Sequence, residues 1–194
     1  MTTVPPLPPR LFEQPWPEGE YRLFQLGFVV DDLFATAARW AAVFGVGPFH
    51  VLPSLEMPCT YRGAESGFDV QVAVTQAGPV QIELIEQHCD RPSVYRERVG
   101  RGSAGFHQLC TVTRDYDAKV AHYRGLGYEL VTEVVPQNQR VAYFDTVDDF
   151  GFFTEIVEDV PGYLALLDGI SKTCAAWDGT DPVRILTRDG YRTP

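Results

Sequence analysis

A unit of one strand, one helix and three strands occurs twice in this chain, and that repeat constrains the fold more than any other feature. In the first copy, "YRLFQLGFVVDD" has strand composition and ends on an Asp pair suited to capping a helix. "LFATAARWAAVFGVG" follows, with Leu33, Ala37, Trp40, Ala41 and Phe44 at helical spacing and a stop at Gly45 and Gly47. "FHVLPS", "FDVQVAVTQAG" and "VQIELIEQ" then read as three strands with turn residues between them. In the second copy the strand is "FHQLCTVTRD", the helix "YDAKVAHYRGLGY", and the three strands "YELVTEVV", "RVAYFDTVDDFG" and "FFTEIVED". "FQLGFVVDD" lies over "HQLCTVTRD" without a gap, and "QIELIEQ" lies over "FTEIVED".

These spans divide the chain. A proline-rich arm occupies residues 1–20, where prolines forbid a helix. Module one is 21–88, and a linker at 89–105 reads as a short helix with a Gly-rich connector. Module two is 106–158. The extension 159–194 opens on "YLALLDGI", suited to a helix, and ends in polar sequence that reads as irregular. "LPSLEMPCTYRGAESG" and "VVPQNQR" read as loops. The predicted class is α+β, one domain of paired β-α-β-β-β modules.

Composition excludes some partners. The 194 residues carry 16 Lys and Arg against 26 Asp and Glu, a net charge of −10. Nucleic acid and anionic membrane both require a cationic face, so neither is an expected partner. No run approaches the roughly 20 apolar residues of a membrane span, and no apolar run of signal-peptide length opens the chain. Cys59, Cys89, Cys110 and Cys174 form no C-x-x-C pair. They read as reduced thiols, three of them in loops or chain ends, which points to the cytoplasm.

Superposing the two modules pairs Gln25 with Gln108, in their first strands, and Glu83 with Glu155, in their last. Each Glu is flanked by apolar residues, so each carboxylate is expected to be partly buried. An isolated buried carboxylate tends to take up a proton, a cation or a metal. Two Glu and two Gln across a pseudo-twofold make an oxygen-rich site for a divalent ion, or a proton-transfer pair. The plainer alternative has Gln25 and Gln108 as buried amides bonded to each other. Strand alternation lets only one of His107 and Gln108 point inward. The repeat chooses Gln108, because Gln108 aligns with Gln25, and sends His107 to the other face. A β-bulge that re-aims His107 inward is the alternative. His107 then reads as a core residue or a support behind the site. Tyr143, in "VAYFDT", lines the cup or simply packs. His50, His88 and His122 are expected to meet solvent.

With these stretches in place, the chain resembles the vicinal oxygen chelate superfamily, nearest its glyoxalase and methylmalonyl-CoA epimerase branches. The matching stretches, in order, are "FQLGFVVDDLFATAARWAAVFGVGPF", "VQIELIEQ", "RVGRGSAGFHQLCTVT" and "RVAYFDTVDDFGFFTEIVE". The resemblance covers about residues 21–158 and implies a cupped mixed sheet around a metal. Carried over, the metal ligands are Gln25, Glu83, Gln108 and Glu155. The pattern often has a His-His pair in the fifth strand, with the second His as ligand; here Gln108 stands in that place.

The cofactor implied is a divalent metal (Mg, Mn, Ni or Zn), weakly held or absent. An all-oxygen set without His suits Mg, Mn or Ca better than Zn or Ni. The resemblance also implies a homodimer. The function expected is a lyase or an isomerase such as an epimerase, acting on a small carbonyl or thioester compound. It would abstract a proton beside the carbonyl and stabilise the enolate, with Glu83 or Glu155 as the catalytic base and Tyr143 and His107 as substrate-binding residues. Two alternatives belong to other classes. One is a metal-free protein that sequesters a small molecule, as resistance proteins do. The other is a ring-cleaving dioxygenase, which Gln at both first-strand positions argues against.

Overall fold

The computed structural model describes residues 22–194, so the proline-rich arm lies outside the described residues. Module one opens with β1 (Arg22–Val29), which leads into α1 (Leu33–Phe44). Asp32 caps α1 by accepting from the Ala35 amide, and Gly45 ends it at φ 66°, a conformation that penalises any Cβ. Leu33, Ala37 and Ala41 form its buried face, while Phe44 at the end of the stripe is exposed. The module continues with β2 (Phe49–Val51), β3 (Leu55–Tyr61), β4 (Ala64–Ala77) and β5 (Val80–Gln87). The linker carries α2 (Val94–Arg98), capped by Ser93.

Module two comprises β6 (Gly105–Thr113), α3 (Tyr116–Gly125), β7 (Leu130–Val134), β8 (Val141–Phe144), the single turn α4 (Val147–Phe150) and β9 (Phe153–Glu158). The extension forms α5 (Tyr163–Ala175), β10 (Val183–Thr187) and β11 (Gly190–Arg192).

Two stretches differ from the sequence expectation. "LEMPCTY", read as a loop, is β3, and its Cys59 is a strand residue. Glu56 and Pro58 disguise it, because both are depleted in strands. It survives because a two-residue turn closes it onto β4. Arg62 and Gly63 both take positive φ (46° and 77°), the combination that matches the twist of a hairpin. The polar C-terminal end is likewise ordered, as the β10–β11 hairpin. β10 runs parallel to β2 and covers it, so His50 is buried and not solvent-facing as expected.

All eleven strands among the described residues belong to one mixed sheet, and eight of them close into a ring. Following neighbours, the ring runs β4, β3, β7, β8, β9, β6, β1, β5 and back to β4. β2, β10 and β11 extend from β4 outside the ring. β1 and β6 meet antiparallel, and each is flanked by the last strand of its own module in parallel, β5 and β9. The weakest closure is β3 against β7, with only two residue pairs, Thr60–Glu133 and Tyr61–Thr132. A groove of about 340 Å³ lies there, between Leu55–Pro58 and Glu133–Pro136. Arg62 braces this side by ion pairs to Glu97, Glu129 and Asp145, which joins the turn to α2 and to module two.

The ring encloses a core that includes Phe24, Val29, Phe68, Ile85, Tyr95, Cys110, Tyr143 and Phe153. α1 packs on the outer face of β4 and β5 over a separate core of Leu33, Ala37, Ile82 and Leu84. Among the described residues, no helix is long and apolar enough to cross a membrane.

Candidate functional site

The pairing of β1 with β6 follows the repeat. Gln25 stands opposite Cys110, and Gly27 opposite Gln108. Beside them, Gly27 neighbours Glu83 and Cys110 neighbours Glu155. Exchanging the modules exchanges these pairs, so the pseudo-twofold axis passes between β1 and β6 inside the ring.

Three of the four expected ligands come together there. Gln108 is fully buried, and its carboxamide Nε2 donates to Glu83 Oε2 and to Glu155 Oε2, both at 3.1 Å. The two carboxylates therefore share one amide nitrogen. Glu155 has further donors: the Tyr143 hydroxyl reaches its Oε1 at 3.0 Å, and the Cys110 thiol lies on it as well. Tyr143 in turn meets the Tyr95 hydroxyl at 3.0 Å. Glu83, half-buried as a residue, accepts from Gln108 alone among the described residues.

The protonation of the pair follows from this asymmetry. Burial and the charge of Glu155 push the Glu83 carboxyl well above its ordinary value of 4.5. Burial raises Glu155 too, but Cys110, Tyr143 and Gln108 stabilise its ionised form. Two carboxylates this close in a core do not both ionise, so Glu83 is the member that keeps a proton. Burial likewise holds the Tyr95 and Tyr143 hydroxyls well above 10, so both remain neutral donors.

The fourth expected ligand, Gln25, is not part of this cluster. Its Nε2 donates to Gln81 Oε1 at 2.8 Å, and both amides are buried. The strand neighbour decides the difference. Gln25 lies beside Gln81 on β5, whereas Gln108 lies beside Phe153 on β9. Phe153 offers no polar atom, so Gln108 turns to the carboxylates; Gln81 offers an amide and captures Gln25. The alternative of Gln25 bonded to Gln108 does not occur.

His107 is also not where strand alternation puts it. Gly27 opposes Gln108 and Phe28 opposes Phe106, so His107 is an extra residue in β6, a bulge. β1 carries a bulge at the equivalent residue, Phe24. Both bulged side chains turn inward. The His107 ring packs against Tyr95, Tyr143 and Phe153, with Nε2 2.9 Å from Val94 O and Nδ1 on Gln108 Oε1. Burial keeps this imidazole below its usual pKa of 6.5. His107 and Gln108 thus both face the interior of the ring, contrary to the expectation that only one faces in.

Sequence reasoning missed Tyr95, Gln81 and Gly27. Tyr95 lies in the linker, outside the repeat that singled out the other positions. Gly27 has no side chain to mark it in the sequence, yet a Cβ there would lie 2.5 Å from Gln108 Cδ. Gly27 is the space that the Gln108 side chain occupies.

Among the described residues, no group of three or more His, Cys, Asp or Glu could hold a metal ion. The Glu83 and Glu155 carboxylates are oxygen donors suited to a hard divalent cation such as Mg or Mn, while Gln108 presents its amide nitrogen to them and its oxygen to His107.

Comparison with known proteins agrees with this architecture. The family model described as "Glyoxalase/Bleomycin resistance protein/Dioxygenase superfamily" matches residues 24–144. Among curated proteins none matches. Similar solved structures include the methylmalonyl-CoA epimerase from Mycobacterium tuberculosis, 21% identical, with TM-score 0.54 over 77% of this chain and 95% of that one. A variant of the Streptomyces coelicolor epimerase, in complex with 2-nitronate-propionyl-CoA, is 19% identical with TM-score 0.53, over 74% of this chain and 97% of that one. A methylmalonyl-CoA epimerase in complex with methylmalonyl-CoA and NH4+ is 18% identical with TM-score 0.51, over 74% and 97%.

Proposed function

The chain belongs to the glyoxalase/bleomycin resistance protein/dioxygenase superfamily, and on that premise we propose that it is an isomerase or lyase acting on a small carbonyl or thioester compound. The observation that carries this reading is the Glu83–Gln108–Glu155 bridge, two carboxylates on one amide inside the core. Such a pair splits its roles. Glu155, ionised and held by Tyr143, Gln108 and Cys110, takes the proton beside the carbonyl. Glu83, protonated, returns a proton to the same carbon in an isomerase, or hydrogen-bonds the enolate oxygen. The Tyr95 and Tyr143 hydroxyls, neutral and buried, keep the base in place and limit the water around it.

A divalent ion, if bound, would be held by the Glu83 and Glu155 carboxylates, with Gln108 contributing its oxygen only after a half-turn of its amide, and it would supply Lewis-acid polarisation of the substrate carbonyl. The oxygen donors favour Mg or Mn over Ni or Zn. Substrate is proposed to enter by the groove at the β3–β7 seam, where the ring is least tightly paired and Met57 and Val134 border both the groove and the core. Support for a thioester comes from the similar structures, in which epimerases bind acyl-CoA compounds. The homodimer implied by resemblance and a cytoplasmic location belong to this proposal.

The test is exchange of the α-proton in D2O across a panel of acyl-CoA thioesters and α-hydroxy or β-keto carbonyl compounds. Exchange abolished in Glu155→Gln and Glu83→Gln is expected. Full exchange retained in both variants would remove the reading. Tight stoichiometric binding of a small molecule without exchange would assign the protein to the sequestering members of the family.

A further inference from the structure

We propose that the amide nitrogen of Gln81 and the hydroxyl of Tyr163 form an oxyanion site, which holds the substrate's carbonyl oxygen while it carries the enolate charge. The assignment rests on Glu155 being the base. Breaking the C–H bond beside the carbonyl passes the proton to Glu155 and leaves the electron pair on the substrate, with the charge on oxygen. That oxygen needs N–H or O–H donors. The donors around the carboxyls are already in use: the Gln108 nitrogen serves Glu83 and Glu155, the Tyr143 hydroxyl serves Glu155, and Tyr95 meets Tyr143. Gln81 has one to spare. It is 2% exposed, its Oε1 accepts from Gln25, and its Nε2 has no partner among the described residues. Buried polar groups are rarely left unpaired. Turning both amides over only moves the spare nitrogen to Gln25.

Strand register brings this nitrogen to the site. Gln81 lies beside Gln25, Gln25 opposite Cys110, and Cys110 beside Glu155, in one row across β5, β1, β6 and β9. Glu83 and Gln108 stand in the adjacent row, two residues along β5 and β6. α5 covers the same region. Tyr163, Leu164 and Leu167 pack into the core of the ring, and Cys174 touches Thr75 and the amide of Gln76, the strand partner of Gln81. The Tyr163 ring meets Phe24, next to Gln25, edge-on at 6.4 Å. Its hydroxyl makes no hydrogen bond among the described residues. A phenol with its ordinary pKa of about 10 is already a neutral donor at pH 7, and burial beside Cys110, Glu155 and Glu83 raises it further. Tyr163 belongs to the extension, beyond the residues 24–144 that the family model matches. With Gln81 and Tyr163 on the oxygen, Glu83 is left to return the proton to carbon.

Two variants and one probe test it. Tyr163→Phe removes a hydroxyl that bonds to no described residue, so the melting temperature should hold. Gln25→Met combined with Gln81→Met replaces both partners of the amide pair, which leaves no buried polar group stranded and should keep the fold at wild-type stability or above. Each should lower kcat for α-proton exchange about a hundredfold, the scale for losing one oxyanion donor, with KM nearly unchanged. Wild-type kcat in both variants would overturn the proposal. The probe is propane-2-nitronate, a planar anion with the charge distribution of an enolate, followed by the Gln81 side-chain amide signal in nitrogen-15 NMR. That signal is identified by its loss in Gln81→Met. It should shift on titration, and Tyr163→Phe should weaken the binding about tenfold. Where the wild type exchanges no proton in any compound of the panel, this titration decides. A Gln81 shift weakened in Tyr163→Phe would keep the anion site and remove the proposed reaction. No shift would overturn the site as well.

Discussion

Gly27 on β1 stands directly opposite Gln108 on β6, and a Cβ at Gly27 would lie 2.5 Å from Gln108 Cδ and 2.7 Å from its Nε2. The glycine is therefore part of the site, since it gives Gln108 the room to bridge two carboxylates.

Gly27→Ala should displace Gln108 from Glu83 and Glu155. Gln108 is fully buried, so overpacking should cost about 1–3 kcal/mol. Thermal unfolding measures the loss, and α-proton exchange should fall with it. An unchanged melting temperature would show that Gln108 is not held where the structure has it.

Glu83 should make the protein less stable as pH rises above about 4.5. The sign follows from proton counting. Above 4.5 the unfolded chain has lost the Glu83 proton while the folded chain keeps it. The native state then binds more protons, and stability falls with rising pH until the folded carboxyl also ionises. Glu83→Gln should remove this slope and be more stable than wild type at the alkaline end. Denaturant titrations between pH 4 and 9 would show it, and parallel slopes for the two proteins would contradict the assignment.

Gln25→Ala should leave any Mg²⁺ or Mn²⁺ affinity unchanged, because Gln25 bonds to Gln81 and not to the carboxylates. It should still destabilise the fold by about 1–3 kcal/mol by stranding the buried Gln81 amide. Glu83→Ala should behave in the opposite way and abolish the rise in melting temperature that a specific ion produces. Melting curves with and without ion separate the two variants. A matched loss of ion response in both would restore Gln25 to the ligand set.

Tyr143→Phe removes the donor to Glu155 Oε1 and the partner of the Tyr95 hydroxyl. Two buried polar groups lose one bond each, which should cost about 1–3 kcal/mol. If Glu155 is the base, its apparent pKa in the exchange rate profile should also rise, because an N–H or O–H donor to the charged form has gone. A double-mutant cycle with Tyr95→Phe gives the coupling between the two hydroxyls, and a coupling of zero would mean that their contact is incidental.

The sequence by itself determined the repeat and much of its consequence. The alignment of "FQLG" on "HQLC" and of "QIEL" on "FTEI" carries the pseudo-twofold exchange of Gln25 with Gln108 and of Glu83 with Glu155, and the β1–β6 pairing in the structure follows that exchange. The cap at Asp32 and the stop at Gly45 were equally local, because a cap depends on the residues within one helical turn. Tertiary structure alone decided what each residue of the repeat does. Gln25 and Gln108 are identical in sequence role but differ because Gln81 lies beside one and Phe153 beside the other, on strands more than forty residues away. The bulges at Phe24 and His107 exist only in the register of two strands together, so alternation read along one strand sent His107 to the wrong face. Tyr95 and Val94 reach the site from a linker with no repeat to announce them, and the β10–β11 hairpin is held by the edge of β2 rather than by its own composition. Periodicity records which face of an element is buried. The partner met on that face is set by strands that the sequence does not place next to one another.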